Sequence, residues 1–291
     1  MNIQSARCVG MVFMLVVLFT LAACGQTEST SVPQVLRFSA MPDQSPERVK
    51  AQHELVVQQV CALTGLRCEL VPVSTYEELV ARLGRGEVDV AFLGAGIFAQ
   101  AWHRYQVVPL AMRNIDTSFS SLVVVRANDP ARTLDDLHGR KFSFSNRISA
   151  SGHFMPRRKM NLAGIDPERD FGSIEYSANN DATLLAVQSG RVDAGVVNAS
   201  VYLKAYMAEE PMVQGLRVLW QSPPYVDMVW AARQGLPAEL RERIRSAYLD
   251  LSSSVPDQRE ALERENAQGY VPAYLQDYAE IIDVVRQRGE L

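Results

Sequence analysis

One spacing constrains this chain more than its composition does: segments of its first half return 104 residues later, in the same order. Gly86-Glu87-Val88-Asp89 is answered by Gly190-Arg191-Val192-Asp193, and Phe98 and Ala101 by Tyr202 and Ala205. Arg37-Phe38-Ser39 returns as Lys141-Phe142-Ser143, and Ser45 as Ser149. One such match is chance; a common register for all of them means two copies of one structural unit.

Each copy carries the same succession of periodic segments. In the first, 35–40 alternates as a strand, and Ser45-Pro46 opens a helix whose apolar residues Val49, Val56, Val60 and Leu63 keep helical spacing. Residues 69–73 read as a second strand. Thr75-Tyr76-Glu77-Glu78 is a capping box for a helix ended by Gly84, and 88–93 is a short apolar strand. The second copy gives strands at 141–144, 174–176 and 192–197, with helices at 151–163 and 181–189. Both are β-α-β-α-β units, so the fold class is α/β, with a small sheet flanked by helices in each of two lobes.

Residues 121–126 form a strand carrying the chain into the second lobe, followed by a short helix opened by Thr133; 217–221 return toward the first. Helices at 237–252, 257–268 and 272–286 complete the chain. The division is then 35–119 plus 219–291 as lobe one and 120–218 as lobe two, two crossings joining them around a cleft.

The first 23 residues read as a processing signal: Arg7 precedes an apolar run at 10–23 that is too short for a permanent bilayer span. The run ends in Leu21-Ala22-Ala23-Cys24, which resembles the lipobox of bacterial lipoproteins. The resemblance implies lipidation of Cys24, with 24–34 as a polar tether. Removing the signal takes one base from the 29 and none of the 33 acids, moving the net charge from −4 to −5 and arguing against a nucleic-acid partner. Cys61 and Cys68, the pair left in the folded body of an exported chain, suggest a local disulfide. The histidines are scattered singly and no CxxC occurs, so no metal site is expected, and no cofactor either.

In open α/β sheets ligands sit beyond the C-terminal strand ends, where helices begin. That rule selects the loops after Phe38, Val73 and Leu93 in lobe one and after Phe144, Tyr176 and Val197 in lobe two, the first of the lobe-two loops lying in 144–156, FSNRISASGHFMP. Ser149, Ser151 and Gly152 set hydroxyls and backbone N–H groups at a helix N-terminus, suited to a phosphate-like anion, while Ser151 as a simple cap is the alternative. Arg147 and His153 could add positive charge, and Ser45 caps the equivalent helix toward the same cleft. Ser151 with His153 is a poor nucleophile and base, because residues two apart point in different directions, and no GxSxG elbow exists. The reading is non-enzymatic.

Four stretches in order carry a family resemblance: TYEELVARLGRGEVDVAFLGAGIFAQA (75–101), SFSSLVVVRANDPARTLDDLHGRKFSFSNRISASGHFMP (118–156), LAVQSGRVDAGVVNASVY (185–202) and SPPYVDMVWAAR (222–233). Over 36–284 the chain resembles the phosphate/phosphite/phosphonate-type substrate-binding proteins of ABC transporters, with the two-lobe periplasmic-binding-protein type II fold. The resemblance implies that the family's Ser-Thr-Ser-Gly phosphoryl motif falls on Ser149-Ala150-Ser151-Gly152, one hydroxyl short. Its tyrosine falls on Tyr76, and its histidine before the lobe-two helix is replaced by Asn180. Tyr225 and Asp227 take the place that approaches the ligand's far end. Asn198-Ala199-Ser200 stand where aminophosphonate binders carry a further acid, which favours a compact oxyanion.

The implied protein is a monomeric, lipid-anchored binding protein on the periplasmic side or outer cell surface. It captures a phosphorus oxyanion and delivers it to an ABC permease. Alternatives are a ligand-sensing lipoprotein feeding a sensor kinase, or a binder of another oxyanion such as arsenite. Asp89 and Asp193 are expected to anchor turns, Phe92, Phe98, Trp102 and Trp230 to pack mostly in the core, and Arg157-Arg158-Lys159 to form a solvated helix face.

Overall fold

The computed structural model describes residues 33–287, so the signal segment, Cys24 and most of the tether lie outside the described residues. The first half runs β1 (Leu36–Ala40), α1 (Pro46–Thr64), β2 (Cys68–Leu70), α2 (Tyr76–Gly84), β3 (Val90–Leu93), α3 (Ala95–Tyr105) and β4 (Val108–Arg113). The second lobe follows as β5 (Ser121–Arg126), β6 (Lys141–Phe144), α4 (Met155–Leu162), α5 (Pro167–Asp170), β7 (Ser173–Tyr176), α6 (Asn180–Gln188), β8 (Ala194–Asn198), α7 (Ala199–Met207) and β9 (Leu216–Gln221). The chain then adds β10 (Val229–Ala232), α8 (Ala238–Leu249), α9 (Pro256–Arg264), β11 (Tyr270–Pro272) and α10 (Ala279–Gln287).

Two mixed sheets result, ordered β11-β4-β10-β3-β1-β2 and β7-β6-β8-β5-β9. Each repeat supplies three parallel strands, β2-β1-β3 in one sheet and β7-β6-β8 in the other. Beside each set lies an antiparallel strand from outside the repeat, β10 against β3 and β5 against β8. The sheets are therefore mixed rather than purely parallel, because the segments that connect the lobes also pair with them. Strands β3 and β10 are buried along their whole length, as expected of central strands covered on both faces.

The repeated acids hold equivalent places. Asp89 accepts the backbone N–H of Arg37 at 2.9 Å, and Asp193 that of Lys141 at 3.0 Å, so each ties the loop before one strand to the start of its neighbour. Their arginine partners, Arg233 on Asp89 and Arg126 on Asp193, complete the two anchors.

Three expectations shift. Residues 217–221 do not lead back to lobe one; β9 pairs with β5 at the edge of the second sheet. The return therefore lies after Gln221, later than the expected boundary at 219. The two crossings meet at Phe119 and Tyr225, which exchange backbone hydrogen bonds of 2.7 and 2.9 Å. The helix expected over 151–163 begins as a wide π-type turn, Ala150–Phe154, before α4. Finally, Arg157-Arg158-Lys159 is not a solvated face. Arg157 is buried, with its guanidinium 4.4 Å from the centre of the Phe144 ring, while Arg158 and Lys159 reach Glu280 on α10 at 3.0 and 2.8 Å.

Cys61, near the end of α1, and Cys68, opening β2, are joined in a disulfide with Cα atoms 6.1 Å apart. Among the described residues no helix is long and apolar enough to cross a membrane, and no group of ligating side chains could hold a metal ion.

Candidate functional site

A small cavity lies between the lobes at the C-terminal ends of both parallel strand sets. Helix starts surround it. Tyr76 and Asn180 open α2 and α6, Gly94 and Asn198 precede α3 and α7, and Ser149 precedes the π-type turn that leads into α4. The offset of 104 relates Tyr76 to Asn180 and Gly94 to Asn198, so the repeat brings the same points of both lobes to one place. Each helix start carries N–H groups that have no partner within the helix and the positive end of its dipole, and several aimed at one space make an anion site without a formal cation.

The side chains are oriented by local bonds. Ser149 Oγ accepts from Gly152 N at 2.9 Å, which leaves its hydroxyl proton to donate elsewhere. Gly152 fits because a Cβ there would stand 2.4 Å from the Ser145 Cβ. Asn180 Oδ1 accepts from Asn198 N at 3.1 Å, and Asn198 Oδ1 caps α7 by accepting from Val201 N at 3.1 Å. With both amide oxygens engaged, the NH2 groups of these buried asparagines are what remains to donate. Tyr76 is buried, and burial raises its hydroxyl well above its ordinary range, keeping it a protonated donor.

Opposite these donors lie carboxyls. Asp227 is fully buried. Its Oδ1 accepts from Ala95 N, at the start of α3, at 3.1 Å, and its Oδ2 has no partner among the described residues. Burial pushes Asp227 up to about 7, a rise that the Ala95 hydrogen bond partly opposes. Asp43, on the loop after β1, is raised to about 6, again by burial, against the opposing pull of His53 and Arg113. Asp43, Asn198 and Met228 also line an adjoining outer chamber, together with Phe92 and Arg113.

Among the residues expected from sequence, Ser149, Ala150, Ser151, Tyr76, Asn180 and Asp227 meet at this cavity; Gly152 shapes its wall. Three do not line it. Ser45 is exposed and caps α1 through Arg48 N. His153 turns into the lobe-two core, with Nδ1 2.5 Å from Arg147 O and Nε2 3.2 Å from Tyr176 OH, because the wide turn rotates it away from the cleft. Tyr225 belongs to the crossing: its hydroxyl is 2.5 Å from Ser121 Oγ, which also donates to Ser151 O at 2.7 Å. Arg147 lies over the Tyr176 ring, 3.7 Å from its centre, rather than in the cavity. Sequence reasoning selected the loops that hold Asp43 and Gly94 without naming either residue, and weighed Asn198 only as the place of a missing acid; the offset of 104 relates Gly94 to Asn198. Phe98 and Trp230 are core residues, and Phe92 is the aromatic that reaches the outer chamber.

Two α/β lobes, two crossings and a polar cavity lined from both sides define a type II periplasmic binding protein. The chain belongs to the family described as "ABC transporter, phosphonate, periplasmic substrate-binding protein", whose model matches residues 38–278. It is 26% identical over 274 residues to the "Probable ABC transporter phosphite binding protein PhnD1" of Prochlorococcus marinus, covering 90% of this chain and 92% of that one. To the "Phosphate-import protein PhnD" of Mycolicibacterium smegmatis it is 24% identical, covering 76% of this chain and 73% of the relative. The structure of the Prochlorococcus protein with methylphosphonate superposes with a TM-score of 0.82 over 89% of this chain and all of that one, at 25% identity.

Proposed function

We propose that this protein captures a small phosphorus oxyanion, phosphite or a short alkylphosphonate, by closing its lobes around it, and delivers it to an ABC permease. The observation that carries this reading is the convergence of helix starts from both lobes on one cavity whose other donors are hydroxyls and amides. Two relatives with phosphite and phosphate in their names, and a structural neighbour holding methylphosphonate, support the ligand class.

The tetrahedral head sits at the Ser149-Ala150-Ser151 turn, receiving the two hydroxyls and the first N–H groups of the turn. Tyr76, Asn180 and Asn198 donate from the flanks. Asp227 faces the far side, where its unpartnered Oδ2 accepts from a protonated ligand oxygen or, when itself protonated, donates to an ionised one. Nothing here calls for covalent chemistry; affinity and release follow from contacts present only in the closed form. Lipidation at Cys24 would hold the protein, as a monomer, on the periplasmic side of a membrane near that permease.

Calorimetric titration of the chain beginning after Cys24 tests the ligand. Heat is expected from phosphite or methylphosphonate, with weaker heat or none from sulfate and arsenite. Binding of sulfate or arsenite alone overturns the reading.

A further inference from the structure

Resting on that reading, we infer that Asp43 is a charge filter: its carboxylate, entering the cavity from lobe one, makes the site select singly charged oxyanions and reject fully ionised dianions. No Lys, Arg or His is among the residues that line the inner cavity, so no formal positive charge there offsets Asp43 and Asp227.

The basic side chains nearest Asp43 are already engaged. Arg113 on β4 donates to both oxygens of Asp116 at 2.7 and 2.8 Å and to Glu265 O at 2.8 Å. His53 on α1 has its Nδ1 2.6 Å from Glu265 Oε1. Both sit against the same part of the cleft as Asp43, yet each is bound to an acid of its own, so the patch as a whole stays acidic. Asp181 on α6 adds a further negative charge facing Asp43, and the Tyr76 hydroxyl on α2 faces it as a neutral donor. In the outer chamber Arg48 pairs with Glu210 at 2.8 Å and Arg264 with Glu260 at 2.7 Å, while Lys204 stands exposed at the rim.

A second negative charge on a ligand here meets two carboxyls in a partly desolvated space, where like charges repel strongly. Burial raises Asp227 further than Asp43 even though the first N–H of α3 supports its ionised form through Oδ1. Asp43, raised to about 6, is mostly ionised at neutral pH and loses its charge below that value. The filter is therefore strong above pH 6 and relaxes under acid.

The test compares wild type with Asp43→Asn by calorimetry, using phosphite and methylphosphonate at pH 6 and pH 8.5 and sulfate, a dianion at both. Wild type is expected to lose affinity for its phosphorus anion on the order of tenfold between the two pH values. Asp43→Asn should lose severalfold less and gain measurable sulfate binding. An unchanged pH slope together with continued rejection of sulfate overturns the filter while leaving the phosphorus-oxyanion reading intact. Failure of wild type to bind either phosphorus anion at both pH values overturns that reading and the filter with it. Should the variant melt early, the wild-type slope decides alone: equal affinity at pH 6 and 8.5 sinks the proposal.

Discussion

Ser151 illustrates how narrow the margin is between a capping residue and a ligand residue. It is buried at the cavity, and the helix start it belongs to is capped by Ser149 Oγ instead, so the Ser151 hydroxyl is not spent on the cap and lies near Asp227. Ser151→Ala should weaken binding of the preferred anion by about 1.5–3 kcal/mol, as for a hydrogen bond to a charged group, read by calorimetry. Asp227 makes a prediction on stability. Its folded value of about 7 lies above the ordinary carboxylate range, so folding favours its protonated form. That contribution is fully present below about pH 4 and is lost as pH rises through 7. Asp227→Asn, which keeps an acceptor for Ala95 N, should therefore gain stability relative to wild type by a few kcal/mol at pH 8 and little at pH 4; denaturant melts at the two pH values check this. Residue types and spacing pointed to Ser149 and Ser151 because a helix start fixes where its first side chains lie, whereas Tyr76, Asn180 and Asp227 came only from the family resemblance. Neither could place His153 or Tyr225, since one extra residue in a turn redirects a side chain and the partner that holds it is remote in sequence.

At the scale of elements, the turn from Ala150 to Phe154 and the loop between Cys61 and Cys68 each depend on a local device. Gly152→Ala would set a methyl 2.4 Å from the Ser145 side chain, and lobe two should lose roughly 1–3 kcal/mol, with anion binding falling alongside. The disulfide closes a loop of sequence separation 7 at the C-terminal end of α1, away from the cavity. Replacing both cysteines by serine should cost about 2.5 kcal/mol by loop entropy, visible as a lower melting temperature with anion affinity retained. The helices and strands of each β-α-β-α-β unit were legible because their periodicity is local and their caps, such as Thr75 on Glu78 N, are written beside them, but the helices α3 and α7 that follow each unit were not expected. β4, β10 and β11 were not. A four-residue run such as VWAA gains its strand character only from neighbours far along the chain, here Leu93 to Val90 on one side and Ala111 to Val108 on the other.

For the whole molecule, closure depends on how closely the lobes approach. Gly96 on α3 marks a close approach of the lobes: a Cβ there would lie 2.5 Å from Ile148 O and 3.0 Å from the Phe154 ring, both in lobe two. Gly96→Ala should leave each lobe folded but hold the cleft ajar. Its signature is an unchanged melting temperature without ligand, weaker anion binding and no contraction on ligand addition in small-angle scattering. The pair of Arg48 and Glu210 spans the cleft at 2.8 Å but is partly exposed, so its removal should change affinity only slightly and less in high salt. The order of strands also bears on how the chain matures after export. Lobe two is built from one continuous stretch, whereas the first sheet keeps a gap between β3 and β4 until β10 arrives, and its edge until β11. A chain emerging from a secretion channel N-terminus first can thus complete its second lobe while the first still waits, with β3 and β4 unpaired along the edges that β10 will join. In that interval the nascent protein is most open to chaperones and proteases, and the last sixty or so residues decide when it ends.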